Sequence, residues 1–535
     1  MIARRGLSAG APAVAAASGL VLLAAHPPVG WWWLTFAHPP LLIAALWLAA
    51  TADEGPGRWR PFGLGAVAGL VAFGPMLSWL IAPAGYVGWG LLVGVQAVWM
   101  GLLALLLSRF LDHRLLPVIA AIGWTAIDAW RAIFPLNGFE WGAIAYAHVD
   151  ASWMLPMARV VGGRGITLIV ALVGVAAAVA ARQTVRQIRG RGDRSIEDAL
   201  TGTTLPLGLM VGGLLVSILI TIEAPPTEGT LDVLVVQGND IRHWEDPVPD
   251  PPTTITTNLR DETLAAIGDG PPPDLTVWPE SSIDRDLTTE RGANLRSLVD
   301  EAAGVAGEMV AGATMDGPDP AANRFIAALQ FDGDAQEVDR YVKRRLVPFG
   351  EYIPARELLD WFPPLEQVPR DAISGSGPQQ LSTAQQVRLA VIICFETLFT
   401  DIWRTNILTG DDPAQLVLSL TNDASFRDSA EPAQHLAQVQ LRAVETGRWV
   451  VHASIAGGSA FVDPAGNAHD VTPLFAVDSI RRDLPLAAGQ TPYLATGDIL
   501  GWTARIAVLG LAALAWIGGR RPDETSDAAG SGPPG

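Results

Sequence analysis

Long apolar stretches, separated by short polar segments, fill the first 222 residues of the chain, and one more lies near the C-terminus. Most of them approach the roughly 20 residues that an α-helix needs to cross the hydrocarbon core of a membrane. The stretches cover residues 11–26, 30–50, 62–82, 86–109, 114–132, 161–181, 204–222 and 496–518. This pattern predicts about eight transmembrane helices. About seven form an N-terminal membrane domain, residues 1–222, and one is a C-terminal transmembrane helix, residues 496–518.

Residues 230–490 show a different pattern, in which short β-branched runs alternate with segments of helical periodicity. Runs of this length and composition are typical of buried strands. We expect strands over residues 231–238, 274–280, 324–331, 387–393, 416–421 and 449–461, and a helix over residues 433–446. This mixture predicts one α/β domain in which helices cover sheets. The last residues, 519–535, are polar and predict a disordered tail.

The net charge of −18 is concentrated in the second block. Between Glu223 and Gln490 lie 41 of the 54 acidic residues but only 19 of the 36 basic ones. A net-acidic block gives no reason to expect nucleic acid as a partner, because phosphate contacts need clustered Lys and Arg. In the apolar part, arginines gather before the first stretch, in the even-numbered loops and after the last stretch. Because basic loops stay in the cytoplasm, both termini are predicted to be cytoplasmic and residues 230–490 extracytoplasmic.

Few ionisable or strongly amphipathic side chains interrupt the apolar stretches. Asp128 and Arg131 are three residues apart, so a structural ion pair on one helix face is the expected arrangement. Six tryptophans are predicted to form an aromatic belt at the membrane interface. They are Trp31, Trp32, Trp33, Trp130, Trp141 and Trp153.

Three segments each place a reactive residue at or just beyond a strand-like run: Glu280, Lys343 (in the segment 341–351) and Cys394. Cys394 is the only cysteine and Lys343 the only lysine of the chain. Taken alone, Cys394 favours a buried structural cysteine, and Lys343 is equally well explained by chance survival.

Together, the three residues have complementary chemistry. A thiol needs a base to become a nucleophilic thiolate, and the Glu280 carboxylate can serve as that base and then as an acid. The Lys343 ammonium can stabilise an oxyanion, with help from the backbone N–H of Phe395.

The segments around these residues resemble a known family. Trp-Pro-Glu ending at Glu280, Leu-Val-Pro-Phe-Gly-Glu-Tyr-Ile-Pro after Lys343, and Ile-Cys-Phe-Glu around Cys394 resemble the Glu–Lys–Cys triad of the nitrilase superfamily. With apolar spans on both sides, the chain more narrowly resembles the apolipoprotein N-acyltransferase family of bacterial cell-membrane enzymes. Further matches are Thr421-Asn422-Asp423-Ala424, Gln434-His435 and the segment from Arg442 to Arg448.

The resemblance implies a polytopic α-helical membrane domain joined to an extracytoplasmic α/β nitrilase-like αββα sandwich. It further implies a ping-pong transfer of an acyl chain, from the sn-1 position of a phospholipid, through a thioester on Cys394. The acceptor is the α-amine of a diacylglyceryl-modified apolipoprotein. On this resemblance, Glu280 would be the general base and acid, and Lys343 and the Phe395 N–H would hold the oxyanion. No metal or other cofactor is implied.

Several supporting residues are candidates with open alternatives. Glu351 is expected to orient Lys343, or else to pair with Arg345. Glu396 is expected to orient the cleft, or else to give simple structural support. Trp361 and Phe362 belong to an apolar stretch that is a candidate lid dipping towards lipid, or else a packed surface loop.

Two other functions stay open at this point. A membrane-tethered nitrilase-type amidase would use the same triad on a small amide, with water as the acceptor. A polytopic transporter or scaffold with an inactive α/β domain would not need Cys394 at all. Formation of a long-chain acyl thioester on Cys394 would distinguish an N-acyltransferase from both of these.

Overall fold

A computed structural model describes residues 10–51, 57, 59–188, 196–241, 248–358 and 368–518. The predicted tail, residues 519–535, and the candidate lid residues Trp361 and Phe362 lie outside the described residues.

Each predicted apolar stretch contains one long helix. Several of these helices begin with a proline in the first turn, where its missing N–H costs no hydrogen bond. The helices are α1 (Ala11–Ala25), α2 (His38–Ala50), α3 (Arg60–Met76), α4 (Ile81–Leu107), α5 (Leu116–Arg131), α6 (Ala158–Ile188), α7 (Ile196–Leu219) and, after the α/β part, α13 (Ile499–Gly518). We call α1–α7 with their connections and α13 the helical part.

Four helical segments of the described chain are long and apolar enough to cross a membrane. They are Trp32–Ala50, Ser78–Leu107, Leu155–Ile188 and Ile499–Ile517. Ala11–Ala25 and Thr203–Leu219 are apolar but shorter. The structure therefore contains several membrane-compatible helices, and the count of eight crossings stays a prediction.

The α/β part contains two β-sheets. The first sheet has the order β13-β1-β2-β3-β4-β5, with β6 beside β4, and the second has the order β12-β11-β10-β9-β8-β7. The strands are β1 (Thr227–Gln237), β2 (Leu275–Ile283), β3 (Glu308–Asp316), β4 (Asn323–Phe331), β5 (Glu337–Val342), β6 (Asp371–Ala372), β7 (Gln380–Ser382), β8 (Arg388–Ile393), β9 (Leu416–Thr421), β10 (Val450–Ser454), β11 (Ala460–Val462), β12 (Ala468–His469) and β13 (Asp478–Ala487). The helices are α8 (Pro251–Ile267), α9 (Ala293–Ala306), α10 (Thr400–Leu408), α11 (Glu431–Thr446) and α12 (Pro492–Thr496).

The apolar cores define the layers of this part. One core lies between the sheets and combines side chains such as Val233 of β1 and Val391 of β8. A second core packs α8 and α9 against the outer face of the first sheet. The outer face of the second sheet packs on α10 and α11, so the layers are α-β-β-α. The predicted sandwich is confirmed.

A third core lies on the outer face of the second sheet and continues without a break into the helical part. It includes Phe73 of α3, Leu441 of α11 and Ile392 of β8. Helix α11 is therefore an internal layer, with the sheet on one side and the helical part on the other. This arrangement places one face of the α/β part directly on the predicted membrane helices.

Two predictions for the helical part have different outcomes. Arg131 Nη1 lies 3.0 Å from Asp128 Oδ1, so the structural ion pair is confirmed. The assignment of Trp141 to an interfacial belt is wrong, because its side chain is buried and its indole N–H donates to Gln434 Oε1 of α11 at 2.6 Å. Trp31 and Trp33 are exposed, as an interfacial position requires.

Candidate active site

The carboxylate of the site, Glu280, lies near the end of β2. The pairing of β2 with β3 shifts its register between Trp278 and Ile283, and Ser281 has a left-handed backbone with φ 64°. Such an irregularity re-aims side chains at a strand end. Glu280 is buried, with Oε1 accepting from Lys343 Nζ at 3.0 Å and Oε2 accepting from the Asn422 N–H at 3.1 Å.

Lys343 follows the end of β5, and its side chain has no solvent exposure. Its ammonium donates to Glu280 Oε1 and, at 2.5 Å, to Glu351 Oε1. A buried ammonium is stable only when opposite charges and hydrogen bonds compensate its lost hydration. Two carboxylates provide this compensation here.

Cys394 follows the last residue of β8 and begins a 3₁₀ turn, Cys394–Leu398. Its φ of 48° lies in the left-handed region, which is costly for a residue with a Cβ. Backbone strain of this kind persists only where the surroundings hold it in place. As a residue, Cys394 is partly exposed, whereas the five residues before it, 389–393, are buried.

The three reactive side chains interact electrostatically. Burial, and then the Glu280 carboxylate, raise the pKa of the Cys394 thiol well above its ordinary value, while Lys343 acts in the opposite direction. Burial raises the pKa of Glu280 against the effect of Lys343, which makes the carboxylate a stronger base. Burial alone would lower the pKa of Lys343, but Glu280 and Glu351 outweigh it, so the ammonium stays charged. The resting site therefore holds a neutral thiol beside a base and a cation.

The candidate supporting residue Glu351 contacts Lys343 and not Arg345. Its Oε1 accepts from the ammonium, and its Oε2 accepts from the Val347 N–H at 2.9 Å. Arg345 instead pairs with Asp401 at 2.9 Å. The alternative of a Glu351–Arg345 pair is wrong.

Glu396 is fully buried and links the turn of Cys394 to the segment of Lys343. Its Oε1 accepts from the N–H groups of Arg344 at 2.7 Å and Arg345 at 3.0 Å. Its Oε2 accepts from the Ile393 N–H at 2.9 Å, and the Tyr341 hydroxyl lies within 3.0 Å of both oxygens. The carboxylate thus fixes one strand end relative to the other.

Phe395, whose N–H is the candidate oxyanion donor, contacts the helical part. Its ring stacks on Phe139, with centroids 6.5 Å apart, and meets Phe399 edge-on. Phe139 in turn stacks on Trp141. An aromatic set contributed by both parts of the chain therefore flanks the turn of the thiol.

Some residues of the site are not apparent from the sequence. The Asn422 N–H binds Glu280, and the Asn422 side chain donates to Asp240 Oδ2 at 2.8 Å. The Thr-Asn-Asp-Ala segment of the resemblance contains Asn422 and is the one signal that points to it. Tyr341 has no such signal, because its acceptor Glu396 lies 55 residues further along the chain.

One group of side chains has the donor types of a metal site. Asp423, Glu431 and His435 are buried, and one ligand atom of each lies within 4.8 Å of the others. However, Asp423 Oδ1 already accepts from the Thr421 hydroxyl at 2.8 Å and contacts His435 Nδ1 at 3.2 Å. Asp423 and His435 therefore satisfy each other by hydrogen bonding, whereas Glu431 Oε2 is buried without a hydrogen-bond partner among the described residues.

Two family models match the chain, in the order of its two parts. The apolipoprotein N-acyltransferase N-terminal domain matches residues 18–176, and the carbon-nitrogen hydrolase domain matches residues 263–483. A curated apolipoprotein N-acyltransferase of Gloeobacter violaceus is 30% identical over 489 residues, which cover 87% of each chain. The chain belongs to the apolipoprotein N-acyltransferase family. The predicted family, and with it the prediction of an acyltransferase, is confirmed.

Other relatives agree with this membership. The apolipoprotein N-acyltransferase of Geobacter metallireducens is 27% identical over 506 residues, 90% of each chain, and that of Pseudomonas aeruginosa is 28% identical over 488 residues. Among solved structures, an amidase from Nesterenkonia sp. is 20% identical with a TM-score of 0.37, covering 51% of this chain and 95% of its own.

Proposed function

We propose that this N-acyltransferase moves an acyl chain from a phospholipid, from its sn-1 position, to the α-amine of a diacylglyceryl-cysteine at a lipoprotein N-terminus. The observation that carries the mechanism is the buried contact of Lys343 with Glu280, because both of these charges act electrostatically on Cys394. The arrangement supplies a base, a cation and a nucleophile in one place, as acyl transfer requires.

In the first half-reaction, Glu280 takes the proton of the Cys394 thiol, and sulfur attacks the ester carbonyl of the phospholipid. Lys343 and the Phe395 N–H stabilise the oxyanion. The carbon–oxygen bond then breaks, and Glu280 gives its proton to the leaving lysophospholipid. An acyl thioester on Cys394 remains.

In the second half-reaction, the α-amine of the acceptor attacks the thioester carbonyl, and Glu280 takes a proton from the attacking nitrogen. The carbon–sulfur bond breaks, and the thiolate recovers its proton from Glu280. The products are the amide and the original thiol. Glu351 keeps the Lys343 ammonium in place throughout, through its 2.5 Å contact with Nζ.

The predicted placement of the chain agrees with lipid-anchored substrates. Residues 1–222 and 496–518 would hold residues 230–490 on the extracytoplasmic face of a bacterial cell membrane, with both termini in the cytoplasm. The support for this placement is the clustering of arginines in the even-numbered loops, together with the unbroken apolar core between α11 and the helical part.

Intact-protein mass spectrometry tests the first half-reaction. After incubation with phospholipid vesicles, the wild-type protein should gain the mass of one acyl chain, and hydroxylamine should remove it. Cys394→Ala should gain nothing, and Glu280→Gln should gain the adduct far more slowly while its thiol still reacts with iodoacetamide. A wild-type protein that gains no adduct would overturn the proposal.

The second half-reaction has its own control. Addition of a peptide with an N-terminal diacylglyceryl-cysteine should remove the adduct and produce an N-acylated peptide. The same peptide with an acetylated amine should leave the adduct in place. Loss of the adduct to water alone, at an equal rate, would identify a hydrolase instead.

A further inference from the structure

Arg442, on α11, is one of the largest fully buried side chains of the described residues, although it carries a charge. Two of its hydrogen bonds go to the turn that begins with Cys394. Its Nε donates to the Thr397 carbonyl at 3.1 Å, and its Nη2 donates to the Leu398 carbonyl at 3.0 Å. The guanidinium therefore holds the C-terminal end of that turn.

The same guanidinium is bound to the helical part. Its Nη2 lies 2.9 Å from Glu140 Oε1 and 2.7 Å from the Tyr146 hydroxyl oxygen, both in the connection between α5 and α6. Arg164 of α6 donates to the other Glu140 oxygen, and its Nε lies 3.5 Å from Asp498 Oδ2, just before α13.

A second contact joins α11 to α6. Glu445 Oε2 accepts from Arg442 Nη1 at 2.5 Å, and Glu445 Oε1 accepts from the Gly163 N–H at 2.7 Å. That N–H is available because the backbone leaves helical geometry at Gly162, where φ is 63°. A kink of this kind frees N–H groups, as a helix N-terminus does.

Stability alone is a poor explanation for this arrangement. Burying each ion has a large desolvation cost, and well-packed apolar residues of similar volume often stabilise a fold equally well. An arginine fork, by contrast, fixes direction, because its donors are planar and rigid. Cys394 also needs such support, because its left-handed backbone must be held by its surroundings.

We propose that Arg442 is a positioning residue that makes the reactivity of Cys394 depend on Glu140 of the helical part. Glu140 orients the guanidinium, and the guanidinium holds the Thr397 and Leu398 carbonyls, so the thiol stays aligned with Glu280. The proposal rests on the proposed role of Cys394 as nucleophile.

The chain provides a matched control. Arg159 of α6 is also buried at the contact between the two parts, where it donates to the carbonyls of Ile222 and Pro464 at 2.6 and 2.8 Å. Among the described residues, Arg159 makes no hydrogen bond or ion pair with the turn of Cys394. Arg159→Lys should therefore weaken the same contact without disturbing the thiol.

The test compares Glu140→Gln, Arg442→Lys, the double variant and Arg159→Lys in the full-length protein. Two rates are measured: acylation by phospholipid, and alkylation of the single thiol by iodoacetamide as a function of pH. Glu140→Gln and Arg442→Lys should each slow acylation by about tenfold or more, since small misplacements of reacting groups have effects of this size. The double variant should be no slower than the slower single variant, because one linkage carries both effects.

The pH profile of alkylation separates positioning from simple destabilisation. If the turn relaxes, the thiol leaves its buried position beside Glu280, and the midpoint of alkylation should shift to lower pH. Arg159→Lys should keep the wild-type midpoint of alkylation, even if its thermal unfolding temperature falls as far as that of Glu140→Gln. A wild-type midpoint in Glu140→Gln, or strictly additive effects in the double variant, would overturn the proposal. A shifted midpoint in Glu140→Gln, with no acyl adduct in the wild type, would overturn the proposed function instead.

Discussion

Glu396→Gln is a sharp test of how the site is held together. The carboxylate accepts hydrogen bonds from three backbone N–H groups and from the Tyr341 hydroxyl. A glutamine retains one oxygen, which fits best in the Oε1 position, where the N–H groups of Arg344 and Arg345 converge. Its amide NH₂ then faces the Ile393 N–H, and two donors confront each other one residue before Cys394.

The expected cost follows from these contacts. A buried N–H without an acceptor costs about 1–3 kcal/mol, and the remaining bonds lose the extra strength of a charged acceptor. Burial raises the pKa of Glu396, so the neutral amide recovers part of the desolvation cost of the carboxylate. We expect the free energy of unfolding to fall by about 3 kcal/mol in total. For an unfolding unit about the size of the α/β part, this corresponds to a fall in Tm of about 6–12 °C.

Thermal unfolding of the detergent-solubilised protein measures this loss, with Tyr341→Phe as the comparison. That variant removes one hydroxyl donor but leaves the backbone bonds to Glu396 intact, so it should cost only about 1 kcal/mol. Alkylation of Cys394 should also be altered in Glu396→Gln, because the end of β8 shifts. The reasoning is refuted if Glu396→Gln unfolds at the same temperature as Tyr341→Phe.

Three further predictions concern the charges and the contact between the two parts. Glu351→Gln should slow phospholipid acylation by about tenfold in single-turnover assays, because Lys343 keeps one carboxylate partner instead of two; a wild-type rate would exclude the orienting role. The rate of acylation should rise with pH through the pKa of Glu280, because the base acts only when it is deprotonated. Burial raises this pKa above the ordinary 4.5. A pH-rate profile with a midpoint at or below 4.5 would contradict this. Trp141→Phe removes the 2.6 Å bond to Gln434 and should lower Tm by a few degrees, since one buried hydrogen bond contributes about 1 kcal/mol; an unchanged Tm would show that the bond contributes nothing.

The parts of the fold that depend on local composition could be predicted from the sequence. Each long apolar stretch contains a helix. Such a stretch can be recognised from its own composition, without knowledge of its distant partners. The strands that lead to Glu280 and Cys394 were also predicted, since β-branched runs are a local signal. The predicted strand over 449–461 was only partly right, because residues 450–454 and 460–462 form two separate strands.

Features set by distant partners could not be predicted. β13 completes the first sheet by pairing antiparallel with β1, which lies more than two hundred residues earlier in the chain. β3, which pairs with β2 in the same sheet, is a further strand that was not predicted from the sequence. Trp141 has the composition signal of an interfacial residue, but its partner Gln434 lies 293 residues away. The Arg442 segment was recognised only as part of a resemblance, because its contacts with Glu140 and the turn of Cys394 exist only in three dimensions.

The pair between Arg164 and Asp498 has a consequence for the order of assembly. Asp498 precedes α13, which follows all three reactive residues along the chain and packs beside α5. Until α13 packs beside α5, Arg164, which also binds Glu140, lacks one of its two carboxylate partners. Under the linkage proposed above, a chain that lacks α13 would carry all three reactive residues without the full set of contacts that holds them. The readiness of Cys394 for reaction would then depend on α13 as well as on Glu140.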